Sequence, residues 1–149
     1  MKLEGSCHCG AVRFSVISHT PYPYMRCYCS ICRKTAGGGG YAINLMGDMG
    51  SLEITGRDHI SVYMGRRHFC ARCGSALWVW DERWPELVHP FASAIDTDLP
   101  AAPDQTHIML NYRASWVKLP PADASNAHFE EYPDASIEDW HRKRDLWVD

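Results

Sequence analysis

Near the middle of the chain stands Phe69-Cys70-Ala71-Arg72-Cys73-Gly74. Two thiols three residues apart, closed by a glycine, form a zinc knuckle. The glycine lets the chain turn sharply and aim backbone N–H groups at sulfur. A knuckle carries two ligands, and a structural zinc site is closed by four. Cys7-His8-Cys9-Gly10 supplies the other two and also ends on a glycine. Cys7, Cys9, Cys70 and Cys73 then make a complete tetrahedral set with Zn–S of about 2.3 Å. One metal would tie the first strand of the chain to its middle. The stake is large, because a structural zinc contributes roughly 10–16 kcal/mol in small peptides and a domain is stable by only about 5–15 kcal/mol.

Between these halves lies Cys27-Tyr28-Cys29-Ser30-Ile31-Cys32, with three of the chain's seven cysteines. An odd total does not complete a disulfide framework, and cysteines one residue apart diverge too far to bridge each other easily. Three thiolates on Zn²⁺ leave a net charge of about -1 and one open position. Such a zinc is a weak Lewis acid but suits an exogenous thiol, which it would hold as thiolate for attack on a small electrophile. A second reading closes this site with a distant histidine, His8, His68 or His107. Arg33 and Lys34, next to Cys32, could meet the carboxylates of an anionic thiol ligand, or stand as a solvated pair.

A length of 149 residues suits one domain over 1–149 with a real core. The formal net charge of -3 implies no basic face, so nucleic acid is not an expected partner. No apolar run approaches the roughly 20 residues that span a bilayer. Met1 to Ser6 leads straight into Cys7 with no apolar stretch typical of a secretory signal. The expected compartment is therefore the reducing cytoplasm, where clustered cysteines bind metal or do chemistry.

Around the cysteines the pattern is mainly β. Val12, Phe14 and Val16 alternate with polar residues, as do Tyr41, Ile43 and Leu45, and Ile60, Val62 and Met64. Tyr24–Cys27, Leu52–Ile54, Ala76–Trp80, Val88–Ile95 and Ile108–Tyr112 are further strand candidates, and antiparallel pairing through short turns is expected. Gly37-Gly38-Gly39-Gly40 is either a flexible turn or a loop lining a substrate. Pro120 to about Pro133 is expected as loop. The one helix signal is Ser136 with Asp139 three residues on, a capping box. Ile137, Trp140 and Trp147 would share the face of that helix.

Gly5-Ser6-Cys7-His8-Cys9-Gly10-Ala11-Val12-Arg13-Phe14, then Cys27 to Lys34, then Phe69 to Ser75 resemble the three signature blocks of the glutathione-dependent formaldehyde-activating family, which includes the centromere protein V group. Ser93-Ala94-Ile95-Asp96 and His107–Trp116 fall where family members have similar segments. Tyr28 is a departure, since members commonly carry histidine there. The resemblance implies a β-tent, the Rab-exchange-factor-like fold: small antiparallel sheets organised by zinc, with a short C-terminal helix. It implies two zincs, one structural on Cys7, Cys9, Cys70 and Cys73 and one on Cys27, Cys29 and Cys32. It implies a carbon–sulfur lyase that joins glutathione and formaldehyde into S-(hydroxymethyl)glutathione. The other functions compatible with these residues are a non-catalytic zinc and thiol-binding module, such as a glutathione carrier, and a protein-interaction module.

Overall fold

The computed structural model describes residues 1–149. In chain order its strands are β1 (Lys2–Ser6), β2 (Arg13–Ile17), β3 (Met25–Cys27), β4 (Ala42–Ile43), β5 (Gly47–Asp48), β6 (Glu53–Thr55), β7 (Ile60–Tyr63), β8 (Arg67–Cys70), β9 (Ala76–Val79), β10 (Leu87–Pro90), β11 (Gln105–Ile108) and β12 (Asn126–His128). Helix α1 spans Ser30–Thr35 and α2 spans Ile137–Arg142. The strands form three small sheets, ordered β1-β2-β6, β5-β10-β9-β8-β7 and β12-β11-β3-β4. The chain is mainly β, as its alternation predicts.

The first sheet is an antiparallel hairpin extended by one strand. Leu3 and Gly5 of β1, and Phe14 and Val16 of β2, point inward, while Lys2, Glu4 and Arg13 face solvent. The turn of this hairpin carries Cys7 and Cys9. In the second sheet β8 and β9 pair antiparallel, and the turn between them carries Cys73, with Cys70 closing β8. Phe14 meets Trp78 of β9 edge to face at 5.1 Å between centroids, so the two sheets share one core.

The third sheet departs from the expected antiparallel pairing. β3 and β4 run antiparallel, but β11 runs parallel to both β3 and β12. Parallel neighbours need a long crossover, and here the whole second sheet lies in sequence between β3 and β11. Strand β12 also breaks the expected loop after Pro120.

Three further expectations change in detail. The strand drawn over Ile108–Tyr112 stops at Ile108, because Met109 takes a left-handed backbone with φ 59° and a 3₁₀ turn follows. Helix α2 has the reciprocal capping box of Ser136 and Asp139, but it ends at Arg142. Trp147 is not on its face: Asp145, at φ 55°, redirects the chain and Trp147 stacks on His19 at 4.8 Å. Trp140 does pack inward, stacked on Tyr24 at 3.7 Å. Helix α1 was not foreseen.

Candidate metal centres and their cavity

The two hairpin turns bring four sulfurs together. Cys7, Cys9, Cys70 and Cys73 have all their Sγ atoms within 4.8 Å of one another. Cys7 lies 3.6 Å from Cys9, and Cys9 lies 3.8 Å from Cys70. Four sulfurs each about 2.3 Å from a zinc would stand about 3.8 Å apart, so the set has the dimensions of a tetrahedral site. The local backbone explains the arrangement. Gly10 and Gly74 adopt φ 77° and 76°, which an L side chain resists. Val12 N–H donates to Cys7 Sγ at 3.2 Å. The Ser75 hydroxyl lies 3.2 Å from Cys73 Sγ and holds that thiol well below its ordinary range, near pKa 5.

The second cluster is built from three different local structures. Cys27 ends β3, Cys29 is the N-cap of α1 with its sulfur accepting the Cys32 N–H at 3.3 Å, and Cys32 lies within α1. Their Sγ atoms also fall within 4.8 Å of one another. Hydrogen bonding between the neighbouring thiols lowers the pKa of Cys29 and raises that of Cys27. Two donors from elsewhere reach Cys32 Sγ: Arg67 Nη2 at 3.5 Å and Asn44 Nδ2 at 4.0 Å.

No histidine, aspartate or glutamate joins these three sulfurs. His107 lies beneath the loop, but both its ring nitrogens are engaged. Asn126 gives its amide N–H to Asp123, leaving its Oδ1 to accept from His107 Nε2 at 3.2 Å. His107 Nδ1 therefore accepts from the Tyr28 hydroxyl at 2.9 Å. Tyr28, flanked by two of the cysteines, thus anchors their loop to the buried third sheet. His68 donates from Nδ1 to the Arg66 carbonyl and stacks on Trp78. His8 is exposed beside the four-cysteine set.

Cys27, Cys29 and Cys32 line a cavity of about 670 Å³. That lies within the roughly 300–1,000 Å³ usual for small-ligand sites. Its wall is largely apolar, with Ile31, Val79, Trp84 and Ile108 among its residues. Arg33 and Lys34 are not among them, and neither is Gly37–Gly40. Gly40 instead takes φ 87° and lies close under Trp116 and Val117. The cations that do line the cavity are Arg66, Arg67 and Arg83. Sequence reading missed them because no local pattern ties 66–67 to 27–32.

The model of the glutathione-dependent formaldehyde-activating enzyme family matches residues 2–111. The chain belongs to that family. A protein of Halomonas elongata, named provisionally as a glutathione-dependent formaldehyde-activating enzyme, is 58% identical over 98% of each chain. A crystal structure of a Rhodobacter sphaeroides protein superposes with a TM-score of 0.54 at 26% identity, covering 67% of this chain and 92% of that one. The family match takes in both cysteine clusters. The part of the cavity wall formed by Tyr132–Ile137 lies beyond it.

Proposed function

We propose that this chain joins a small thiol, glutathione foremost, to formaldehyde and catalyses the reverse cleavage, as a carbon–sulfur lyase with zinc at Cys27, Cys29 and Cys32. One observation carries the reading: three sulfurs with no fourth protein ligand converge on the wall of a cavity of about 670 Å³, a size usual for small-ligand sites. The family name and the name of the Halomonas relative point to the same two substrates.

The reaction needs no oxidant. A sulfur electron pair forms the S–C bond to the formaldehyde carbon, the C=O π pair moves to oxygen, and the thiol proton ends on that oxygen. Zinc bound by the three cysteines supplies a soft cation that keeps an added thiol deprotonated at neutral pH. The remaining work falls to the chain. Arg67 and Asn44 donate to Cys32 Sγ and draw negative charge from the cluster. The Tyr28–His107–Asn126 chain holds the loop in place. Ile31, Val79 and Ile108 keep much of the wall dry, which strengthens each polar contact inside. Cys7, Cys9, Cys70 and Cys73 bind the structural zinc that joins the first two sheets. Both clusters need reduced thiols, which suits work in the cytoplasm.

The test is magnetisation-exchange NMR between ¹³C-formaldehyde hydrate and its glutathione adduct, with a protein-free control at the same thiol concentration. Zinc-replete protein should raise the exchange rate above the spontaneous one, and Cys29→Ser should remove the increment while still folding. A rate equal to the control for the parent would leave a thiol-binding protein without this catalysis.

A further inference from the structure

Three guanidiniums, of Arg66, Arg67 and Arg83, line the cavity against the carboxylates of Asp81 and Asp134. Asp81 is buried and already saturated. Its Oδ1 accepts the backbone N–H and Nε of Arg83, both at 3.0 Å, and its Oδ2 accepts Arg83 Nη2 and Arg66 Nε, both at 2.9 Å. A carboxylate offers about four lone-pair positions, so Asp81 has nothing left for a third arginine.

Arg67 is the cation without a carboxylate. No ion pair in the chain includes it. Its Nη2 donates to Cys32 Sγ at 3.5 Å and its Nη1 to Thr35 Oγ1 at 3.4 Å. A guanidinium carries five N–H donors in a fixed fork, so three remain. A thiol that joins the three sulfurs lies beside Cys32, and therefore beside this partly unused fork. A carboxylate a few bonds from the thiol sulfur would complete it, and a neutral group there would not.

We infer that Arg67 binds a carboxylate of the incoming thiol ligand, so that the cavity prefers anionic thiols to neutral ones of the same size. The inference rests on the proposed thiol-binding role of the three-cysteine cluster and narrows its ligands to anionic thiols. Arg33 and Lys34 do not line that cavity.

The test uses two probes of equal size, 3-mercaptopropionate and 3-mercaptopropionamide, titrated calorimetrically into zinc-replete parent, Arg67→Gln and Arg67→Lys. Zinc content is measured for each protein. The parent should bind the acid at least about tenfold more tightly than the amide, the scale of one charge-assisted hydrogen bond. In Arg67→Gln that acid-over-amide preference should fall to near one, whatever common change in the binding of both probes follows from losing its hydrogen bond to Cys32 Sγ. Arg67→Lys, with a cation but no fork, should fall between the two, and it carries the comparison if Arg67→Gln loses its second zinc. Equal binding of acid and amide by the parent overturns the inference and leaves thiol binding intact. So does an acid preference that survives in Arg67→Gln, or in Arg67→Lys where the glutamine variant has lost its zinc. A parent that binds neither probe overturns the thiol-binding role as well.

Discussion

Cys70→Ser should be the most damaging single-atom change in the chain. Cys70 is fully buried at the end of β8, with its sulfur 3.8 Å from that of Cys9. Sulfur becomes a hard, high-pKa hydroxyl that a soft metal prefers less. A structural zinc worth about 10–16 kcal/mol, divided over four ligands, assigns about 3–4 kcal/mol to each. A buried hydroxyl lacking a partner adds about 1–3 kcal/mol. The sum, about 4–7 kcal/mol, is a large fraction of the roughly 5–15 kcal/mol that holds a domain folded. In a chain of this size each kcal/mol moves the midpoint by about 2–4 °C, so zinc-replete Cys70→Ser should melt at least about 8 °C below the parent. Cys29→Ser, on the other cluster, is the control and should melt near the parent. Superimposable melts for Cys70→Ser and parent would refute Cys70 as a structural ligand.

Other consequences follow from the same geometry. Zinc should leave in two stages under mild chelation, first from the three-cysteine cluster, which lacks a fourth protein ligand, and later from the four-cysteine set with loss of fold. Elemental analysis alongside circular dichroism checks this, and simultaneous loss of both would contradict it. Gly5→Ala should destabilise by about 1–3 kcal/mol or more through overpacking, since a β-carbon there would stand 2.5 Å from the Ala94 carbonyl oxygen and against the Phe14 ring. A urea midpoint equal to the parent's would show that β1 can yield. Burial lowers the pKa of His89, His107 and His141. The unfolded chain takes up those protons near pH 6.5 while the folded chain resists them, so this part of the stability is full above that pH and is lost as pH falls below it. Melts at pH 7.5 and 5.5, with zinc content matched, should show the decline, and no difference between them would count against neutral buried histidines.

Most of the scaffold was legible in the sequence because its signals are local. Alternation marked β2 and β7, an aromatic-rich run marked β9, glycine after cysteine marked both metal turns, and Ser136 with Asp139 marked the start of α2. Strand β1 escaped because one of its two inward positions is Gly5, which adds nothing to a hydrophobic period. Helix α1 escaped because six residues complete fewer than two turns, and its cap is a cysteine rather than a serine or aspartate. The parallel pairing of β11 was out of reach because its partners lie far apart in sequence. The four-cysteine set could be paired from its spacing. The arginines of the second site could not, since Arg67 reaches Cys32 only through the packing of β8 beside α1. Arg33 and Lys34 drew attention by sequence proximity to Cys32, but adjacency on a short helix does not place side chains on the same face as its ligand.

Calorimetric titration of zinc-replete protein with reduced glutathione asks whether the three-cysteine cluster accepts a thiol from outside the chain. One glutathione should bind per chain, with proton release as the thiol ionises, and none should bind to a Cys29→Ser variant that melts like the parent. Glutathione binding unchanged by Cys29→Ser, or none to a parent carrying both zincs, would contradict a thiol-accepting cluster.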